Sequence, residues 1–522
     1  MEVNYPGIFN DVIGPVMRGP SSSHCAASLR IGRMARDLME GDLKEILIEF
    51  DPRGSLATTH HSQGSDMGLF GGFLGWEAYD ERLKHYQKAV QDAGIKITIE
   101  IKDYNAIHPS TYKLTLKNNK ETHEMRAIST GGGMIEVVEI DGVNVSMAGD
   151  YYETLVYTKE KNEEDIRNYL NKNATADHII VCKGADTTFI EIKAQQFLDK
   201  EILYQLRSRF KIPGIKEFNP VLPILSRKGL EVPFITCEEM LKYNEDKNLD
   251  LWELAVHYES ARGNISTDEV FKKMTHIVRI MKKSILIGLG GTGYKDRILG
   301  YQSGFFKTQM GNNRLLDAGI LNRMILYTTA MMEIKSSMGV IAAAPTAGAC
   351  GGLPGACIGA ADSMGLPEDE ITKGMLAAGM IGIFISAHAT FSAEVGGCQA
   401  ECGAASGMAA AALVTLGKGS TNQAVGAASM ALQNIFGMVC DPVANRVEVP
   451  CLGKNVMAAA NALSCANMAL ANFDAVLPLD EVIETMDKVG KSIPFELRCT
   501  ALGGLSVTKT SKIIEERLKK QE

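Results

Sequence analysis

Eight of the 11 cysteines in this 522-residue chain lie in its last third: Cys350, Cys357, Cys398, Cys402, Cys440, Cys451, Cys465 and Cys499. Two of them bracket the segment CDPVANRVEVPC, residues 440–451, with ten residues between them. Thiols so spaced form a disulfide, pack as small hydrophobes or bind a metal. An odd number of cysteines crowded into one end of a long chain is no disulfide framework. A metal or iron–sulfur site fits the crowding better. Cys398 follows Gly396-Gly397 and Cys451 follows Pro450, so these thiols lie at turns, where ligands converge. The dense C-x-x-C spacings of ferredoxins and zinc ribbons are absent, and spacing alone does not single out a cluster. Any one cysteine taken by itself is more commonly a packing residue.

A second concentration of chemistry lies in the first 111 residues. GPSSSHCAASLRIGR, residues 19–33, sets Ser21, Ser22, Ser23 and His24 before a predicted helix. Hydroxyls and free N–H groups at a helix start suit a carboxylate or phosphate, although an ordinary cap looks the same. GSLATTHHSQGSDMG, residues 54–68, reads as a glycine-flanked loop rich in acid–base groups: His60, His61, Gln63, Ser65 and Asp66. A solvated polar loop has the same composition. His108 precedes Pro109 and is therefore held extended. STGGGMIE, residues 129–136, lacks the spacing of a dinucleotide or P-loop motif and reads as a sharp turn. His388, inside an apolar run, reads as a hydrogen-bonded core histidine.

The elements that must position these residues follow an α+β pattern. Residues 1–152 form a mixed α/β unit. RIGRMARDLMEG is an amphipathic helix with Ile31, Met34, Ala35 and Leu38 on one face, EILIEF and KITIEIK alternate as strands, and IEVVEIDGVNVSMAG is a hairpin turning at Asp-Gly. Residues 153–220 run strand–helix–strand–strand–helix–strand, the ferredoxin-like order of an ACT-type regulatory module or of a plain linker unit. Residues 221–522 are mostly helical and rich in Ala, Gly and Met. Residues 336–361 carry no charge, but two prolines and six glycines argue for close-packed core helices rather than a membrane span. A net charge of −8 offers no general attraction to nucleic acid or anionic lipid. The start, MEVNYPG, has no apolar signal-peptide core, so a cytoplasmic protein with reduced thiols is expected.

Several long segments together resemble the iron–sulfur-dependent L-serine dehydratases, with the family's beta and alpha parts fused. They are IGPVMRGPSSSH (13–24), HPST (108–111), GGGMIEVVEIDG (131–142), TAGACGGLPG (346–355), EVGGCQAECGAASGMAAAAL (394–413) and VCDPVANRVEVPCLGKNVM (439–457). The resemblance spans nearly the whole chain. It implies a 4Fe–4S cluster held by Cys398, Cys440 and Cys451, with Cys350 and Cys402 as packing residues and no pyridoxal phosphate. It implies that Ser21, Ser22, Ser23, His24 and His108 build a pocket for a small beta-hydroxy acid. In some relatives a C-terminal cysteine caps the fourth iron. This chain ends KKQE, so an open, oxygen-labile iron is expected.

One segment departs from the pattern. Family members usually carry Gly-His-Gly-Thr-Asp where this chain has Ser62-Gln63-Gly64-Ser65-Asp66. Glutamine forms hydrogen bonds but does not titrate near neutrality. The acid–base role then falls to His60 or His61, with Gln63 and Asp66 beside them, or the substrate differs. L-Serine, deaminated to pyruvate and ammonia, is the leading substrate. A non-amino acid such as 2-(hydroxymethyl)glutarate is the alternative, and a non-catalytic iron or redox sensor a further one. A homo-oligomer, by preference a dimer, is the expected assembly.

Overall fold

Alternating apolar residues shape the first half of the chain in a computed structural model that describes residues 5–294 and 297–520. Glu45–Phe50 buries Ile46, Ile48 and Phe50 and pairs in parallel with Lys96–Ile101 on one side. On its other side a meander continues antiparallel through Thr111–Lys117, Thr122–Gly131, Met134–Ile140 and Val143–Met147. The last hairpin turns at Asp141 (φ 51°) and Gly142 (φ 75°), as an Asp-Gly pair favours. The helix Ala27–Leu38 lays Ile31, Met34, Ala35 and Leu38 into the same core as the sheet.

That helix also packs closely on the helix Ser65–Phe73. A Cβ at Gly32 would fall 2.5 Å from the Leu69 carbonyl oxygen, and one at Gly68 would fall 2.0 Å from Ser28 Oγ. Backbone meets backbone here because side chains are missing. The contact draws the start of Ser65–Phe73 up to the serine-rich turn before Ala27–Leu38.

The middle unit has a four-stranded antiparallel sheet in the order Gly214–Phe218, Tyr152–Thr158, Thr188–Ala194, His178–Lys183, the ferredoxin-like arrangement. Its helices Glu163–Asn173 and Lys200–Phe210 pack on one face, over Val156, Ile190 and Ile192. The other face sends Leu155, Phe189 and Phe218 into the core of the six-stranded sheet. Lys216 ties the two sheets by pairing with Glu121 at 2.7 Å and Glu40 at 3.0 Å.

The helical half packs around Glu368–His388, whose Ile371, Met375, Met380 and Phe384 are buried. Among the described residues this is the one helix long and apolar enough to cross a membrane, and 78% of its apolar window is buried inside the protein. Its end corrects one expectation: His388 is exposed and bonds the Ile235 carbonyl at 3.2 Å, rather than lying in the core. The uncharged run 336–361 becomes the short strand Val340–Ala342, a turn, and the start of the helix Gly352–Met364.

The two halves interlock. Ile8, Phe9, Val12, Ile13 and Met17 are buried in the core of the helical half, and Val16–Arg18 pairs antiparallel with Val340–Ala342. Glu259 accepts from the Ile8 N–H at 2.7 Å, and the Tyr258 hydroxyl donates to the Pro6 carbonyl at 2.8 Å. Gly32→Ala should force the paired helices apart and cost about 1–3 kcal/mol of stability. The check is a shifted denaturation midpoint, together with loss of any ligand-induced stabilisation that depends on Asp66.

Candidate active site

The thiol-bearing elements meet where the chain doubles back on itself. Cys398 follows the short helix Ala393–Gly396, after Gly397 in a left-handed conformation (φ 71°). A Cβ at Gly397 would fall 2.8 Å from the Met438 carbonyl, so glycine lets this turn touch the segment that leads to Cys440. The Cys440 N–H donates to the Leu497 carbonyl at 2.8 Å, and its own carbonyl accepts from the Cys499 N–H at 2.9 Å. Cys451 opens the helix Cys451–Leu470. Asn455, one turn on, donates to the Cys451 carbonyl at 2.9 Å and to the Gly348 carbonyl at 2.8 Å. Its side-chain oxygen accepts from the N–H groups of Gly351 and Gly352. One buried amide thus joins TAGACGG to the thiol site.

All 11 cysteines are free and buried. The sulfurs of Cys398 and Cys440 and a carboxylate oxygen of Glu401 lie within 4.8 Å of one another. Hydrogen bonds from Cys402 and Cys440, with help from Lys454, hold the Cys398 thiol well below its ordinary range, against the effect of burial. Burial pushes Cys451 up to about 12. Lys454 donates to the Val439 carbonyl at 2.6 Å and pairs with Asp441 at 3.0 Å. Lys335, fully buried, donates to the Val447 carbonyl. Clustered sulfur donors suit a soft metal centre, and the cations of Lys335 and Lys454 oppose the effect of burial on the Cys451 thiol. Cys402 is packed in the core of the helical half, with the Asn455 amide 3.6 Å from its sulfur.

The serine-rich turn closes over this region. Ser23 donates to Glu394 at 3.0 Å, and Ser392 donates to the other Glu394 oxygen at 2.8 Å. His24 is buried, which lowers its pKa and keeps the ring uncharged. Its Nε2 lies 2.8 Å from Thr59 Oγ1, and that hydroxyl donates to the Ser55 carbonyl at 2.7 Å. Thr59 must therefore accept from His24 Nε2–H, which leaves Nδ1 to accept from Ser21 at 3.0 Å. Ser22 turns away and accepts from the Ala347 N–H at 3.1 Å. His108 is half-buried and accepts the Ser110 N–H at 3.1 Å. Burial lowers its pKa, and Glu394 opposes that shift.

Residues 54–68 are not the open loop their composition suggests. They form the helical turn Leu56–Thr59, a tight turn, and the start of Ser65–Phe73, because close packing at Gly68 leaves no room for a loop. This order separates the two neighbouring histidines. His60 Nδ1 lies 2.8 Å from Asp66, and its ring packs on Phe50 with centroids 5.1 Å apart and planes tilted by 32°. His61 is exposed. Gln63 is buried, with Nε2 3.4 Å from Asn445 Oδ1 and 3.7 Å from Cys499 Sγ. The triple-glycine turn is no phosphate cradle: Gly133 accepts from Arg30 at 2.6 Å, and Gly131 approaches Ser392 too closely for a side chain. A cavity of about 670 Å³ opens elsewhere, between Arg33, Leu222 and His276, and none of these thiols, hydroxyls or imidazoles lines it.

A model of the family described as "Serine dehydratase alpha chain" matches residues 246–506. The probable L-serine dehydratase alpha chain of Bacillus subtilis (strain 168) is 32% identical over 285 residues, covering 55% of this chain and 95% of that protein. The chain belongs to the serine dehydratase family. The probable L-serine dehydratase beta chain of the same organism is 34% identical over 218 residues, 41% of this chain and 96% of that protein. L-serine dehydratase 1 of Escherichia coli (strain K12) is 32% identical over 283 residues, 53% of this chain and 62% of that protein. This serine dehydratase thus joins alpha and beta parts in one polypeptide.

Sequence reasoning passed over two residues of this serine dehydratase site, although a signal was there. Glu394 and Glu401 are the two Asp, Glu, Lys or Arg residues between Lys373 and Lys418, isolated in an apolar stretch. A lone carboxylate in such a run is buried for a reason. Burial, then the Cys398 thiolate, raises the Glu401 pKa from 4.5 to about 8, while Thr346 donates to it at 2.7 Å. The folded value lies above the unfolded one, so the fold favours the protonated acid. Stability from this group is complete below 4.5 and is lost as pH rises through about 8. Metal-free protein should therefore lose thermal stability across that range, and Glu401→Gln should flatten the profile, measured as the unfolding midpoint at each pH.

Proposed function

We propose that this chain is an iron–sulfur hydro-lyase that converts L-serine to pyruvate and ammonia without pyridoxal phosphate. The observation that carries the reading is the part-buried Ser23–Glu394 hydrogen bond, which brings the serine–histidine turn against the segment bearing Cys398. The names of the relatives favour serine over 2-(hydroxymethyl)glutarate and over a non-catalytic sensor. Cys398, Cys440 and Cys451 are buried sulfur donors on converging elements and fit a 4Fe–4S cluster as its holders. When bound, such a cluster supplies an electrophilic iron that polarises a hydroxyl group.

The remaining work falls to side chains. Ser21 and Ser23 bind the substrate carboxylate by redirecting the hydroxyl protons they give to His24 and Glu394, while uncharged His24, whose one N–H goes to Thr59, holds the turn, with His108 at the edge of the pocket. His60 donates a hydrogen bond from Nδ1–H to Asp66 and so presents Nε2 to take the substrate's alpha proton. Departure of the beta-hydroxyl with one proton releases water and leaves an enamine. The enamine becomes an imine, and water converts it to pyruvate and ammonia. Gln63, unable to titrate, holds Asn445 and Cys499 in place by hydrogen bonds.

The three stretches 1–152, 153–220 and 221–522 are proposed as working units, with the middle one modulating activity. The tie of Lys216 to Glu40 and Glu121 supports a path from it to the first unit. A cytoplasmic homodimer is the proposed setting.

Anaerobic protein of confirmed iron and sulfide content should release pyruvate and ammonia from L-serine and lose activity as air bleaches the cluster. Silence with serine and turnover of 2-(hydroxymethyl)glutarate would overturn the substrate assignment. His60→Asn should lower kcat by about 10²-fold or more. A greater loss in His61→Asn would move the base to the exposed histidine.

A further inference from the structure

We propose that Cys499 is a fourth thiolate ligand of the metal centre, beside Cys398, Cys440 and Cys451. The inference rests on the cluster reading above and replaces the open iron expected from the sequence.

Cys499 is not placed like a core cysteine. It is 5% exposed, and the small cluster it joins consists of Ala393, Cys398 and Cys440, with Met438 against it. Its backbone is left-handed (φ 60°), a conformation that disfavours a side chain. Its N–H donates to the Cys440 carbonyl at 2.9 Å, beside an isolated bridge between Cys440 and Arg498, and this holds it there. The outcome is a thiol packed in one small cluster with the Cys398 and Cys440 thiols. On its other side the Gln63 amide lies 3.7 Å from the sulfur.

This puts Cys499 between a cluster ligand and Gln63, in the tight turn that separates His60 from Asp66. The other spare thiol, Cys402, belongs instead to the large helical core and is covered by the Asn455 amide at 3.6 Å. On metal loading Cys499 gives its proton to solvent and its sulfur binds iron. Substrate binding would displace it, with Cys499 leaving as a thiolate that keeps both bonding electrons. The Gln63 N–H donates to the freed thiolate.

Iron and sulfide are first quantified on anaerobically reconstituted wild-type protein. Failure to bind iron would remove the cluster reading, and this ligand with it. In loaded wild-type protein without substrate, Mössbauer spectra should show every iron with sulfur-only coordination. A distinct site with oxygen or nitrogen coordination would overturn the proposal without recourse to any variant. Cys499→Ser and Cys499→Ala should both show that distinct site. On mild oxidation they should yield the electron-paramagnetic signal of a three-iron cluster about tenfold faster than wild type. Equal rates at equal cluster content, or acceleration in Cys402→Ala alone, would overturn it.

Discussion

The site exists because the first segment of the chain is buried in the core of its second half. Residues around Ile8, Val12 and Met17 have no sheet of their own to cover, and Val16–Arg18 finds its strand partner in Val340–Ala342, more than 300 residues away. Burying five large apolar side chains there removes enough surface from water to stabilise the join by several kcal/mol, at roughly 1.5–3 kcal/mol for each side chain. The serine-rich turn begins just after this strand. It is therefore carried to Ala347 and Glu394 by packing and not by its own affinity for them.

Once the halves are joined, the electrostatics of a dry interior set the chemistry. Glu394 and the Cys398 thiol are buried and Glu401 is partly buried within one neighbourhood, an arrangement that desolvation and like-charge repulsion both oppose. Each has specific donors: Ser23 and Ser392 for Glu394, Thr346 for Glu401, Lys454 for the thiolate. A Cβ on Gly348 would lie 2.9 Å from both Glu401 oxygens, so the loop leaves this carboxylate room by omitting a side chain. Polar groups placed together at such cost mark a place built for reaction more than for stability.

Small residues make the rest of the helical half possible. Glycine at 288 approaches the Ala330 carbonyl, and glycine at 355 approaches Thr328, at distances that exclude a Cβ. Helices this close leave little space for a loose cofactor pocket. They form a stiff frame around one polar seam, which keeps thiols from four separate segments in register.

Much of this protein was legible in its residues. Strand alternation in EILIEF and KITIEIK, the Asp141-Gly142 turn and the ferredoxin-like order of 153–220 follow from local periodicity and turn chemistry, and these act over a few residues. The cysteines beside glycine and proline pointed to a thiol site for the same reason. Other features were settled only by packing. The helical turn at 56–59 sends His60 to Asp66 and His61 to the surface, and no property of two adjacent histidines distinguishes them. Ser22 serves the Ala347 backbone while its neighbours face Glu394 and His24. Cys499 lies 48 residues beyond Cys451, and a strand contact with Cys440 makes it a neighbour of the site. Local sequence determines which elements form and what each side chain is able to do. Which of those side chains meet depends on long-range apolar burial, which joins segments hundreds of residues apart and has no local signature.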